Sequence, residues 1–163
     1  LTNRYFEILD ASKTSEIEDL LLDSLVTRET EYDYTYTFSK AAYVEWLKRD
    51  SVFDPDYKIL KIEQDSGVVK ARVSKTDIRV DFLHKAPIVT DQEFYFKEDK
   101  ISAIVTTNYV GFNDSIFVKN REAFLSWMDL HHPDKNDFIF DQTKVGGLKY
   151  LKAIELYQKN KID

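Results

Sequence analysis

The stretch from Tyr57 to Val110 limits the fold more than any other part of this chain. Four breaks divide it: Asp65-Ser66-Gly67, Lys75-Thr76-Asp77, Lys85 to Val89 around Pro87, and Glu98-Asp99. Gly, Pro, Asp and Ser favour turns, and the segments between them are rich in β-branched and aromatic residues. Connections this short predict five consecutive strands in an antiparallel meander. A turn at Thr76-Asp77 sets Val73 against Val80, Ala71 against Phe82 and Val69 against His84. The hairpin centred on Ile88 sets Val80 against Phe96, Phe82 against Phe94 and His84 against Gln92. A turn at Glu98-Asp99 sets Phe96 against Ile101, Phe94 against Ala103 and Gln92 against Val105. Because side chains alternate with a period of two, these pairings gather the apolar residues on one face, with Leu60 and Ile62. The other face carries Lys70, Arg72, Glu93, Tyr95 and Asn108, with Leu83 and Ile104 among them, and Arg72 falls opposite Asp81. Such a cross-strand pair of opposite charges favours this register.

The flanking segments read as helices with one more strand. Residues 1–10 form a helix, and Ser15 with Glu18 forms a capping box for a second, with Ile17, Leu20, Leu21 and Leu25 on its stripe. Residues 30–38 alternate, with rings at Tyr32, Tyr34, Tyr36 and Phe38, as a half-buried strand does. Ser39 can cap a helix from Lys40 to Asp50 with Ala42, Tyr43, Trp46 and Leu47 on one face, ended by Asp54-Pro55. Beyond the meander, Asn120 caps a helix through Leu130, and a last helix runs from Thr143 to Lys159. At 163 residues, without repeat or linker, the chain fits one domain over 1–163, with a core to about 112 and a helical extension over 113–163.

Composition narrows the partners. The formal charge is −6, from 29 acidic and 23 basic residues, and no basic stripe offers itself to a phosphate backbone, so no nucleic acid is expected. No apolar run approaches the roughly 20 residues of a spanning helix. The sequence opens at Leu1, which fits either a removed export signal or a trimmed start, so a soluble protein is expected in the cytoplasm or outside it. Neither cofactor nor metal is called for. Gly146-Gly147 lacks phosphate-loop spacing, and close helix packing explains two glycines equally well. His131-His132 with Asp134, Asn136, Asp137 and Asp141 imitates a ligand loop, but Ile139 stands where an EF-hand needs glycine.

The segment FSKAAYVEWL followed by a meander ending in KISAIVTTNYVGF resembles the nuclear transport factor 2-like superfamily, which includes SnoaL-like polyketide cyclases and ketosteroid isomerases. The resemblance covers about residues 1–112 and rests on element order. It implies an α+β fold of the cystatin-like cone type. A curved antiparallel sheet of about six strands wraps around N-terminal helices and encloses a cavity, and its outer face often dimerises. The two C-terminal helices depart from the family's usual short ending.

In the derived register His84, Gln92 and Thr107 lie toward one end of the inner face, with Tyr109 just beyond, and Trp46 lines the same space from its helix. Convergent polar groups at the end of an apolar cavity suit a small apolar ligand. The plainer account of His84 is a core histidine satisfied by Gln92 and a backbone group. Isomerase chemistry needs a carboxylate facing the cavity. The inner face from 60 to 109 carries none, Asp81 and Glu93 having the wrong parity, so Glu7 or Asp10 would have to supply it. The leading reading is therefore a small-molecule-binding domain without committed catalysis. One alternative is a SnoaL-like lyase, isomerase or cyclase with His84 as acid or base. The other is an interaction module, its cone filled by its own side chains, forming a homodimer through the outer sheet face at Arg72, Leu83, Tyr95 and Ile104.

Overall fold

The computed structural model describes residues 1–160. Its first helix, α1 (Thr2–Asp10), turns Tyr5, Phe6, Ile8 and Leu9 inward. A 3-10 turn (Thr14–Leu20) then leads to strand β1 (Leu21–Glu29). Strand β2 (Tyr34–Ser39) pairs antiparallel with β1, and Ser39 caps α2 (Lys40–Ser51) by accepting from the Ala42 amide. Next come β3 (Asp56–Asp65), β4 (Val68–Thr76), helix α3 (Ile78–Leu83), β5 (Ile88–Lys97) and β6 (Lys100–Val110). Two long helices follow, α4 (Asp114–His131) and α5 (Lys144–Lys159). The curved, unclosed sheet runs β2-β1-β6-β5-β4-β3, and β1 lies parallel to β6 while the other neighbours are antiparallel.

The expected α+β class and six strands are present, but the meander is interrupted. Residues 78–83 are helix, not strand, so β4 pairs directly with β5. Val69 faces Phe94, Ala71 faces Gln92 and Val73 faces Thr90, in place of His84, Phe82 and Val80. Asp77 is the cause. Its carboxylate accepts from the Val80 amide at 2.6 Å, an N-cap that starts a helical turn. The apolar run Val80-Phe82-Leu83 suits a short helix as well as a strand. Arg72 consequently meets Asp91, not Asp81, through two hydrogen bonds of 2.7 and 2.9 Å.

Smaller departures have similar causes. Residues 21–29 are strand, not the second half of a helix. The pairing of β1 with β6 breaks between Leu21 and Val26. Leu21 and Leu25 both turn inward while Asp23 stays in solvent, and that spacing of four imitates a helical stripe. Residues 30–33 are a turn, and Tyr34 and Tyr36 are exposed, not half-buried. Helix α4 starts at Asp114 with Asn113 as its cap, while the amide of Asn120 donates to the Leu83 carbonyl at 2.7 Å. Phe96 faces Ile101 as expected, but a bulge after Tyr95 sets Ala103 against Tyr95 and Ile104 against Phe94. That extra residue turns Ile104 into the core.

Two apolar clusters result. One lies between the concave face of the sheet and α1 and α2, built on Tyr5, Phe6, Tyr43, Leu47, Phe94 and Ile104. The other joins α3, α4 and α5 through Phe82, Phe124, Met128, Phe138 and Tyr150, with Phe53 from the end of α2. Phe82 and Phe94 thus belong to different clusters. The helices α2 and α5 meet through glycine. A Cβ on Gly147 would stand 2.7 Å from both the Arg49 carbonyl oxygen and Val52 Cγ2. Gly147→Ala should therefore destabilise the protein by about 1–3 kcal/mol in a denaturant titration, despite the better helix propensity of alanine.

Candidate functional site

The concave face is defined by pairing. Ile62, Gln64, Val69, Ala71, Val73, Thr90, Gln92, Phe94, Phe96 and Tyr109 share it, because each pair opposes residues of one face. Its centre is filled. Phe94 is fully buried, with the rings of Tyr5 and Phe6 edge-on at 5.4 and 5.6 Å. The hydroxyls of Tyr5 and Tyr43 share a short hydrogen bond, and burial pushes both phenols up.

Beside these tyrosines, where α2, β4 and α3 converge, lies a charged network. Asp50 accepts from Tyr57 at 3.1 Å, from Lys75 on both oxygens at 2.7 Å, and from Arg79 at 3.0 Å. Asp77 stands 3.3 Å from Lys75 and 3.7 Å from Arg79. Burial alone would raise the Asp50 pKa, but the two cations outweigh it and hold the carboxyl below its ordinary value. A carboxylate committed to two cations and a phenol is a poor proton acceptor. Here it joins the two clusters, with the Arg79 guanidinium 4.8 Å above the Phe53 ring.

The far end of the concave face, beyond Phe94, meets the first turn of α1. A depression of about 430 Å³ opens there, lined by Leu1, Thr2, Asn3, Ile62, Glu63, Gln64, Val69 and Phe96. Its walls are apolar at Ile62, Val69 and Phe96, and the Gln64 amide is on the same face. The Thr2 hydroxyl is buried there without a hydrogen-bond partner among the described residues. Glu63 points to the convex side and pairs with Lys61 at 2.9 Å. A second hollow of about 290 Å³ lies over Arg72, Asp91, Lys70 and Glu93, whose charges pair with one another.

The sequence-derived set is distributed as follows. His84 is the C-cap of α3, not a strand residue. Its Nδ1 lies 2.7 Å from the Ala86 carbonyl, which can only accept, and its Nε2 accepts from the Asn113 amide at 2.9 Å. Both nitrogens are thereby engaged by backbone, and the ring stacks on Phe112 at 4.7 Å. The other face of that contact reaches Tyr109, 5.7 Å from Phe112. Tyr109 faces Thr90, to which Gln92 donates at 3.0 Å, so His84, Tyr109 and Gln92 share one end of the sheet. Thr107 sits in a second bulge and donates to the Asp91 carbonyl. Trp46 stands elsewhere, stacked on Tyr43 beside β2. Of the outer-face set, Leu83 and Ile104 are buried in the two clusters, which leaves Arg72 and Tyr95 outside.

The residues of the imitation ligand loop have other tasks. His131 stacks on Trp127 at 4.7 Å and its Nδ1 bonds the Trp127 carbonyl, while Asp141 accepts from the amide and hydroxyl of Thr143. Among the described residues no group of three or more His, Cys, Asp or Glu side chains could hold a metal. No described helix is long and apolar enough to cross a membrane.

No protein-family model matches this sequence, and no curated protein matches it significantly. Solved structures do match in shape. One is a candidate ketosteroid isomerase from Kribbella flavida, 13% identical, matched over 69% of this chain and 77% of that one with a TM-score of 0.56. Another is a nuclear transport factor 2-like protein of unknown function from Burkholderia xenovorans, 11% identical, over 66% and 78% with a TM-score of 0.53. This chain has the nuclear transport factor 2-like fold. A third relative, from Catenulispora acidiphila, has a ketosteroid isomerase-like fold and was solved with trimethylamine; it is 9% identical over 68% and 86%, with a TM-score of 0.53. At these identities the nuclear transport factor 2-like likeness concerns the fold alone, since unrelated functions share one scaffold.

Proposed function

We propose that this chain is a binding domain that takes a small, mostly apolar ligand with a hydrogen-bonding end at the mouth of its curved sheet. The observation that carries this reading is the uneven filling of the concave face. Tyr5, Phe6 and Tyr43 cover it around Phe94, whereas Ile62, Gln64, Val69 and Phe96 line an open hollow of about 430 Å³. A volume of that size falls within the range of small-molecule sites, which combine apolar walls with a few polar groups. The exposed Gln64 amide offers both a donor and an acceptor at the edge of the hollow. A relative of the same fold holds trimethylamine, in line with small-ligand binding on this scaffold.

Binding is favoured over catalysis by the state of the titratable groups. The His84 ring is engaged on both sides, and Asp50 is held as a carboxylate by Lys75 and Arg79. The test uses progesterone and decanol as neutral amphiphilic probes in isothermal titration. Saturable binding should weaken at least about tenfold in Val69→Trp, which fills the mouth, while the unfolding midpoint stays close to that of the parent. Binding that is unaffected by Val69→Trp contradicts the proposed site.

A further inference from the structure

The two edges of the sheet are built differently. The β3 edge is guarded: it carries Asp56, Lys58, Lys61, Glu63 and Asp65, with ion pairs Lys58–Asp56 at 3.0 Å and Lys61–Glu63 at 2.9 Å. Its pairing with β4 is also broken by a register shift between Ile59 and Lys61. Charges and irregularities of this kind keep an edge from pairing with another chain. The β2 edge has none of them. Its sequence is Tyr-Thr-Tyr-Thr-Phe-Ser, without charge or proline, and it pairs with β1 in unbroken register. Tyr34 and Tyr36 are 54% and 48% exposed. Phe38 and Trp46 continue the aromatic strip, their rings 6.2 Å apart.

We propose that β2 is a self-association edge, at which a second copy of this chain adds antiparallel, β2 to β2. The strand is self-complementary about Tyr36. With Tyr36 on the two-fold axis, Tyr34 of one copy faces Phe38 of the other, and Thr35 faces Thr37. Aromatic pairs and threonine pairs are among the favourable cross-strand neighbours. The ends complement each other as well. Asp33 precedes the strand and Lys40 follows it, so antiparallel pairing brings each acid toward the other copy's lysine. Lys40 otherwise pairs with Asp23, whose side chain is 98% exposed. An isologous contact of this kind closes after two copies and buries both bare edges at once. This surface is separate from the ligand mouth and does not depend on it.

Six residues a side sit at the low end of specific interfaces, so the dimer should form in the micromolar range. Sedimentation velocity from about 1 µM to about 1 mM should show a monomer–dimer equilibrium. Tyr36→Lys places two cations on the axis at an exposed position and should raise the dissociation constant at least about tenfold, with circular dichroism and melting temperature unchanged. Tyr95→Lys, on the convex face, should leave the dimer intact. A wild-type protein that is monomeric throughout overturns the proposal. So does a dimer that survives Tyr36→Lys undiminished, whatever Tyr95→Lys does.

Discussion

Asp50→Ala is expected to cost about 3–5 kcal/mol of stability, because it takes a buried carboxylate from two partly buried cations and leaves them one anion short. Asp50 is 6% exposed and accepts four hydrogen bonds from three partners. Removing it leaves Lys75 and Arg79 with Asp77 alone, at 3.3 and 3.7 Å, and leaves the Tyr57 hydroxyl without its acceptor. The two apolar clusters lose their shared tie, so the guanidinium chloride midpoint should fall sharply. The same carboxyl sets a pH dependence. Its folded-state pKa is depressed, so the stabilisation is present above the ordinary carboxylate range and is lost as pH falls through the folded value. Wild-type stability should decline below about pH 4, and Asp50→Ala should show a shallower decline. A variant as stable as its parent would show that the network is incidental.

Phe94→Ala should be comparably damaging, at about 3–5 kcal/mol. Phe94 is fully buried at the centre of the concave face, against Tyr5 and Phe6, and its strand neighbours are Val69 and Ile104. Those walls come from both a sheet and a helix, which limits collapse into the space left behind. The cavity would be mostly apolar, and an apolar cavity of this kind admits small aromatic molecules. Benzene should therefore raise the melting temperature of Phe94→Ala while leaving the parent unchanged. A loss below about 1 kcal/mol would mean that the cone is not packed around this ring.

Much of the scaffold was legible in the chain because its signals were local. Ser39 announced α2 through a cap that the structure forms, the apolar stripe of 143–159 announced α5, and Gly67 and Glu98-Asp99 marked turns that join their strands. What failed were the places where two periods fit the same residues, Leu21 to Leu25 and, with wider effect, residues 78–84. Val80, Phe82 and His84 alternate like a strand, yet Asp77 caps a helical turn, and every pairing derived through that segment moved with it. The bulge after Tyr95 then exchanged Ala103 and Ile104 between faces, which no pattern of alternation announces. The site was harder still. His84, Gln92 and Tyr109 do share one end of the sheet, but through Phe112 and Thr90 and not through strand pairing. Asp50, Lys75 and Arg79 lie 25 to 29 positions apart in the two bonded pairs, and nothing in their local spacing links them. The mouth brings the first turn of α1 against Ile62, Val69 and Phe96, a tertiary relation without a sequence signal.

The curved sheet is filled at its middle around Phe94 and open where Ile62, Gln64, Val69 and Phe96 line the hollow. An amide chemical-shift titration of the wild-type protein with progesterone tests it directly. Perturbations should gather at Ile62, Gln64, Val69 and Phe96 and in the first turn of α1. Saturable shifts centred instead on His84, Phe112 and Tyr109, or on Arg72 and Tyr95 of the convex face, would contradict it.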